Sequence, residues 1–276
     1  MGTKSTAAAV GHLLAGQISI ITGASSGLGR ATALAFMRHG AAVVCADRTP
    51  ASSKMQPTHE LIREHGGRSI FAQTDVSDEQ SIQRLVRAAV AEFGRIDIMV
   101  NNAGIAHEAS NPRPVWETTE EIFDSTWRVN VRGVFLGCKY AGIQMLGQTR
   151  IPERQRAGTI INTASVLGLL GKSGTPAYAA SKGAVIAMTR AMAMDYAPHL
   201  IHCNSILPGF TRTPMISTLT ADSEVEKYMS EHHPLKRLGE ADEIAEAAVF
   251  LASDMSNGIT GLNMSVDGGL HSQLGL

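Results

Sequence analysis

Tyr178 and Lys182 stand four residues apart, Ser165 lies thirteen positions before Tyr178, and Thr22-Gly23-Ala24-Ser25-Ser26-Gly27-Leu28-Gly29 runs near the start of the chain. A hydroxyl, a phenol and an amine could move a proton, and a glycine turn could receive a dinucleotide. Tyr and Lys at i and i+4 share one face of a helix, where an ammonium favours the ionised phenol, whose ordinary pKa is about 10. A phenol so tuned is a usable acid or base near neutral pH.

These residues need a framework that brings positions 22 to 182 together. Residues 18–22 are short and β-branched, followed by the glycines and a helical stretch at 30–39 with Ala31, Leu34, Ala35 and Phe36. Further buried-strand patterns cover 41–46, ending at Asp47, then 69–73, 96–100, 159–163, 202–207 and 262–266. Ile82, Leu85, Val86, Ala89, Val90 and Phe93 recur at helical spacing, with Ser77 or Asp78 as cap and Gly94 as stop. Long helical patterns cover 120–146, 178–196 and 241–252. Strict β–α alternation with near-continuous apolar strands predicts a doubly wound α/β domain, a parallel sheet of about seven strands with helices on both faces. No repeat or linker divides the chain, so residues 17–276 are expected to form one domain behind a flexible arm of residues 1–16.

Bulk properties exclude several classes. The 276 residues are 44% apolar and 18% charged, as in ordinary globular proteins. A formal charge of −1 offers no broad attraction to nucleic acid or anionic lipid. No apolar run approaches the roughly 20 residues that span a bilayer. Cys45, Cys138 and Cys203 fit neither a disulfide framework nor a zinc site, and read as reduced, buried thiols of a cytoplasmic protein.

Gly23, Gly27 and Gly29 follow a strand and open a helix, the context in which backbone N–H groups approach a pyrophosphate. The spacing is G-x-x-x-G-x-G, and by itself reads equally as a tight turn. Asp47 ends the second strand about 20 residues later, where a carboxylate can bind ribose hydroxyls and repel a 2′-phosphate. NAD is therefore favoured over NADP, although Arg48 beside it could pair with that phosphate.

The whole pattern resembles the classical short-chain dehydrogenase/reductase family, over residues 17–269. The residues that carry the resemblance are Thr22 to Gly29, Asp75-Val76, Asn101-Asn102-Ala103-Gly104, Asn130, Ser165, Tyr178-Ala179-Ala180-Ser181-Lys182, Pro208-Gly209 and Val266-Asp267-Gly268-Gly269. The resemblance implies a Rossmann-type oxidoreductase that transfers a hydride between a nicotinamide cofactor and a secondary alcohol or ketone. It implies Tyr178 as acid/base, Lys182 as the group that lowers its pKa and binds the nicotinamide ribose, Ser165 as a hydrogen bond to the substrate oxygen, and Asn130 as the holder of a water that links Lys182 to solvent. Cofactor contacts would come from Gly23, Ser25, Ser26, Gly27, Leu28 and Gly29, from Asp75 and Val76 at the adenine, and from Asn102, Ala103 and Gly104 at a ribose. Pro208, Gly209, Thr211 and Thr213 would cover the carboxamide. A homotetramer or homodimer is also implied, packed through the helices of Asn130 and Tyr178.

By the resemblance, substrate contacts fall in three variable stretches, 106–117, 166–176 and 210–236. Val166, Leu167, Leu169, Phe210 and Met215 suggest a mainly apolar pocket for a small-molecule alcohol or secondary metabolite, beneath a lid at about 210–236. Helical core packing would explain the same residues. His232 and His233 lack a partner at ligand spacing and read as exposed lid residues, not a metal site. Residues 148–156 read as a polar surface loop without a functional account. Two alternatives stand beside the NAD-dependent enzyme: an NADPH-dependent 3-oxoacyl or polyketide-type ketoreductase, and a catalytically silent dinucleotide-binding scaffold. Intact Ser165, Tyr178 and Lys182 argue against the scaffold, which needs no proton relay.

Overall fold

Seven strands lie side by side in the order β3-β2-β1-β4-β5-β6-β7, all parallel. They are β1 (Ile18–Thr22), β2 (Ala42–Asp47), β3 (Ser69–Gln73), β4 (Ile98–Asn101), β5 (Gly158–Thr163), β6 (Ile201–Pro208) and β7 (Asn263–Val266). The structure, a computed structural model, describes residues 12–51 and 55–273.

Alternate strand residues feed two cores, because successive side chains point to opposite faces. Ile20, Val44, Met99, Ile160 and Leu207 face α3 (Glu79–Phe93), α6 (Gly133–Gly147) and α7 (Pro176–Tyr196). Ile21, Val43, Ile98, Ile161 and Ile206 face α1 (Gly27–Arg38), α2 (Thr58–Glu64) and α10 (Ala241–Ala252). The chain runs outward from β1 to β3, then returns to place β4 on the other side of β1. This reversal opens a crevice beyond the carboxyl ends of β1 and β4, the usual ligand position in open α/β sheets.

Most expected elements appear within a residue or two. The α3 helix begins at a side-chain cap, Asp78 accepting from Gln80 N and Ser81 N, and stops at Gly94 in the left-handed region. The expected helix 120–146 is α5 (Glu120–Trp127) and α6 joined by a π-helical turn at Arg128–Arg132. Helix α2 was not anticipated. Residues 1–11 of the expected arm lie outside the described residues, but 12–16 are not an arm. Leu14 is fully buried against the α1 core, and its N–H donates to His39 O at 2.9 Å.

The 148–156 loop acquires a structural role at the end of the sheet away from the crevice. Gln148 bonds both main-chain groups of Ile96, while Arg154 and Arg95 reach the buried Asp97 carboxylate at 2.7 and 2.8 Å. Asp97 in turn accepts from Ile18 N, tying β1 to β4. Arg156 directs its guanidinium to Thr159, Leu251, Ser253, Ser256 and Asn257. All three cysteines are free and buried, and burial pushes the Cys45 thiol up to about 11. Among the described residues, no helix is long and apolar enough to cross a membrane.

Candidate active site

A cavity of about 610 Å³ fills the crevice, running from the glycine turn to Tyr178. At one end Gly23 has φ +69°, and a Cβ there would lie 2.9 Å from Asn102 Nδ2 and 3.0 Å from Ala103 Cα. Only glycine allows this close approach of the β1 and β4 ends. Thr22 and Asn102 lock them: Asn102 N and Ala103 N donate to Thr22 Oγ1, and Asn102 Nδ2 donates to Thr22 O. Ser26 precedes α1 without a side-chain capping bond, so the first-turn N–H groups beside Gly27 and Leu28 are available to an anion.

Asp47 lines the cavity with a fixed carboxylate, Oδ2 accepting from Ser25 N at 3.1 Å and Oδ1 from Arg48 N at 2.8 Å. Two predicted cofactor residues lie behind this surface. Ser25 is buried, with Oγ donating to Thr49 O, and braces the Asp47 loop. Gly29 lets α1 pack on the turn, since a Cβ there would overlap the Gly23 carbonyl. Asp75 accepts from Ser77 Oγ and N, which holds its carboxyl below the ordinary range. Val76 packs against Gly133, where a Cβ would come within 2.9 Å of Val76 Cγ2. Arg48, Asp75, Val76, Gly104, Pro208, Gly209, Thr211 and Thr213 line the cavity as well. A dinucleotide suits these residues: a cradle free of side chains, available N–H groups and a carboxylate lie along one trough.

At the other end, Ser165 follows β5 with Oγ accepting from Leu167 N at 3.2 Å, and Tyr178 and Lys182 project from α7. Lys182 is buried, donates to Thr163 O at 2.8 Å, and has Nζ 5.6 Å from the Tyr178 ring centroid. Burial lowers its ammonium to about 8. Tyr178 differs from expectation. Burial raises its phenol, with the Ser165 hydroxyl opposing in part, and Lys182 is not among the causes. Both groups are desolvated together, so the ammonium is weakened while it faces the ring and a carbonyl.

Asn130 is fully buried in the π-turn and does not line the cavity. Its Oδ1 accepts from Ile105 N at 2.8 Å, while Nδ2 donates to Ile105 O and Ser181 Oγ. It clamps the segment after β4 to the helix of Tyr178. A Cβ on Gly104 would lie 3.3 Å from Asn130 Oδ1 and 3.7 Å from Lys182 Nζ, so both face the same small space.

Val166, Leu167, Phe210 and Met215 line the cavity, while Leu169 is 51% exposed and lies outside it. His107, Ala109, Lys172, Thr175, Ile216, Leu219 and Met229, which fall within the variable stretches 106–117, 166–176 and 210–236, line the cavity too. Sequence reasoning missed Ile105, Ser125 and Arg128, which line the cavity and which nothing local marks. Segment 210–236 forms a 3-10 turn, α8 (Ser217–Thr220) and α9 (Ser223–His232). His232 is exposed as expected, but His233 is buried. Its Nδ1 pairs with Met229 O, and its ring meets Phe210 edge-on beside Gly209 and Gly268. Those two glycines leave the room that admits it. Among the described residues, no group of three or more His, Cys, Asp or Glu side chains could hold a metal.

A doubly wound parallel sheet with a glycine-lined trough, and with Ser165, Tyr178 and Lys182 gathered at the other end of its cavity, fits an NAD(P)-dependent oxidoreductase acting on CH–OH groups. The model of a family described as enoyl-(acyl carrier protein) reductase matches residues 23–271. Cis-4-hydroxycyclohexanecarboxylate dehydrogenase of Sinomonas cyclohexanicum is 35% identical, over 94% of this chain and 98% of its own. A 3-oxoacyl-[acyl-carrier-protein] reductase of Thermotoga maritima is 37% identical over 93% and 98%. The crystal structure of a short-chain type dehydrogenase/reductase from Mycobacterium marinum superposes with a TM-score of 0.85, at 33% identity, covering 94% of this chain and 97% of that one. The chain belongs to the classical short-chain dehydrogenase/reductase family.

Proposed function

We propose that the protein oxidises a mainly apolar secondary alcohol with NAD as preferred cofactor, and reduces the corresponding ketone in reverse. One observation carries this reading: the Asp47 carboxylate and the Ser165, Tyr178 and Lys182 side chains share one cavity whose substrate end is largely apolar. The bound nicotinamide supplies hydride acceptance or donation. Ser165 Oγ orients the substrate oxygen. Tyr178 Oη takes the alcohol proton in oxidation and returns it in reduction. Lys182 Nζ holds the nicotinamide ribose and, when charged, favours the phenolate. Val166, Leu167 and Phe210 keep water from the reacting carbon. Met215 and Leu219 line the cavity while Pro214 comes near Gly27, a Cβ on which would lie 3.5 Å from its Cδ; segment 210–236 acts as a lid over both ligands.

Arg48, beside Asp47 in the same cavity, supports a second reading as an NADPH-dependent ketoreductase. The test is turnover of cyclohexanol, cis-4-hydroxycyclohexanecarboxylate, a 3β-hydroxysteroid and ethyl 3-hydroxybutyrate with NAD and NADP, alongside dissociation constants for NADH and NADPH. Tighter NADH binding, reversed at least tenfold in Asp47→Ala, is expected; tighter NADPH binding in the wild type selects the second reading. Assembly as a homotetramer or homodimer is supported by Phe123, Trp127, Phe135 and Ile143, each 40–55% exposed on α5 and α6. Sedimentation of a monomer would count against it.

A further inference from the structure

Helix α7 carries Tyr178 in its first turn, yet that turn has no cap of its own. Thr175, at the N-cap position, makes no side-chain capping bond and donates Oγ1 to Lys172 O at 2.9 Å. Pro176 has no N–H. The cap comes from about 70 residues upstream: Glu108 Oε1 accepts from Ala177 N at 3.1 Å and Oε2 from Tyr178 N at 2.8 Å. Glu108 is 2% exposed, and among the described residues it has no ion pair with a cation. Its charge is matched by two main-chain donors and the positive end of a 21-residue helix.

The same residue belongs to the substrate loop. Glu108 lies in α4 (His107–Ser110), which packs against α7, against α8 and against the 3-10 turn at Pro214–Ile216. His107 and Ala109, on either side of Glu108, line the cavity. One short segment thus forms a wall of the substrate end and grips the main chain of the phenol-bearing residue.

We propose that Glu108 is a positioning residue that fixes Tyr178 by capping α7 in trans, so that the substrate wall and the proton-transfer group are placed together. The proposal rests on the reading of Tyr178 as the acid/base. Misplacing a reacting group by about 1 Å can cost on the order of a hundredfold in rate, so loosening this turn has a measurable effect.

The test compares wild type, Glu108→Ala and Glu108→Gln in the full chain. Amide hydrogen exchange reads residues 177–182 against the rest of α7. NADH fluorescence gives cofactor affinity. Turnover and its solvent deuterium isotope effect are measured with the fastest alcohol of the panel above. Glu108→Ala is expected to speed exchange in the first turn at least tenfold, lower kcat about tenfold or more and raise the solvent isotope effect. NADH affinity should stay within twofold. Glu108→Gln keeps one of the two acceptor oxygens, so its first turn should exchange at a rate between those of wild type and Glu108→Ala and its kcat should be partly recovered; if the alanine variant does not fold, Glu108→Gln is compared with wild type alone.

First-turn exchange at the wild-type rate in Glu108→Ala, or in Glu108→Gln where the alanine variant does not fold, would overturn the cap. Faster exchange with unchanged kcat and isotope effect would overturn positioning, as would a loss of kcat matched by an equal loss of NADH affinity. Equal turnover by wild type and Tyr178→Phe would instead remove the reading of Tyr178, while the exchange result still reports on the cap.

Discussion

The two ends of the cavity are built by different means. The cofactor end is main chain on strand termini: Gly23 against Asn102, Thr22 bonding the β4 end, and Asp47 held by two N–H groups. The substrate end is side chains from segments far apart in sequence, on short helices, with Met215 45% exposed. A site made of backbone has little freedom to vary, whereas one made of loop side chains can change its occupant without touching the sheet. The contrast predicts large, local losses at the cofactor end and at the seam, and small changes of preference at the other.

The largest effect belongs to the seam. On the proposed role of Tyr178, Tyr178→Phe removes the proton carrier and should lower kcat by about 10²–10⁴ while NADH affinity stays within twofold; turnover assays and fluorescence titration check both. Next comes Lys182. Its ammonium is protonated in folded and unfolded chains below about pH 8, so the cost of burying it is present in full there. Between about 8 and 10.5 the folded chain sheds the proton first and that cost is relieved. The drop from 10.5 to about 8 corresponds to roughly 3 kcal/mol. Urea unfolding of wild type and Lys182→Met at pH 7, 9 and 10.5 should show the wild type gaining about that much relative to the variant. A flat difference would mean that Lys182 titrates normally.

Gly29→Ala drives a methyl into the Gly23 carbonyl. It should destabilise the chain by about 1–3 kcal/mol in denaturant melts and weaken NADH binding at least tenfold. Preserved affinity would break the claim that the cofactor end tolerates no side chain. The smallest effect is Met215→Ala, expected to change KM for the alcohol two- to fivefold with kcat and NADH affinity intact. A large fall in kcat there would show the substrate end to be as fixed as the other.

The same difference decides what could be read in advance. Gly23, Asp47, Ser165, Tyr178 and Lys182 sit at element ends that hydrophobic period locates, and all five line the cavity. Glu108 was invisible because its partners are 69 and 70 positions away and its neighbours carry no periodic pattern. Helix α2 is a single short stretch with little beyond Leu61 and Ile62 to mark it, pinned by Thr58 Oγ1 bonding to Ala24 O and to the Arg30 guanidinium. His233 and Leu14 were misplaced for a common reason. A polar or terminal stretch says nothing about whether glycine-made room exists for one of its side chains, at Gly209 and Gly268 for the histidine and beside Gly40 for the residues around Leu14. The weakened Lys182 was also beyond reach, since depth of burial is a tertiary quantity.

The π-turn at Arg128–Arg132 has a consequence for how such chains change length. It fits an extra residue into a helix that otherwise advances about 100° per position. Removing one residue there would replace an i→i+5 turn by an i→i+4 turn and leave a continuous α-helix with everything downstream in its present phase, so that Phe135 and Ile143 keep the outer face and Val134 and Leu136 the core. The loss would fall on the widened turn itself, where Asn130 bonds Ile105 and Ser181. A single-codon deletion at this point therefore preserves rotational phase along the α5–α6 rod, whereas the same deletion inside α6 turns everything beyond it by about 100°.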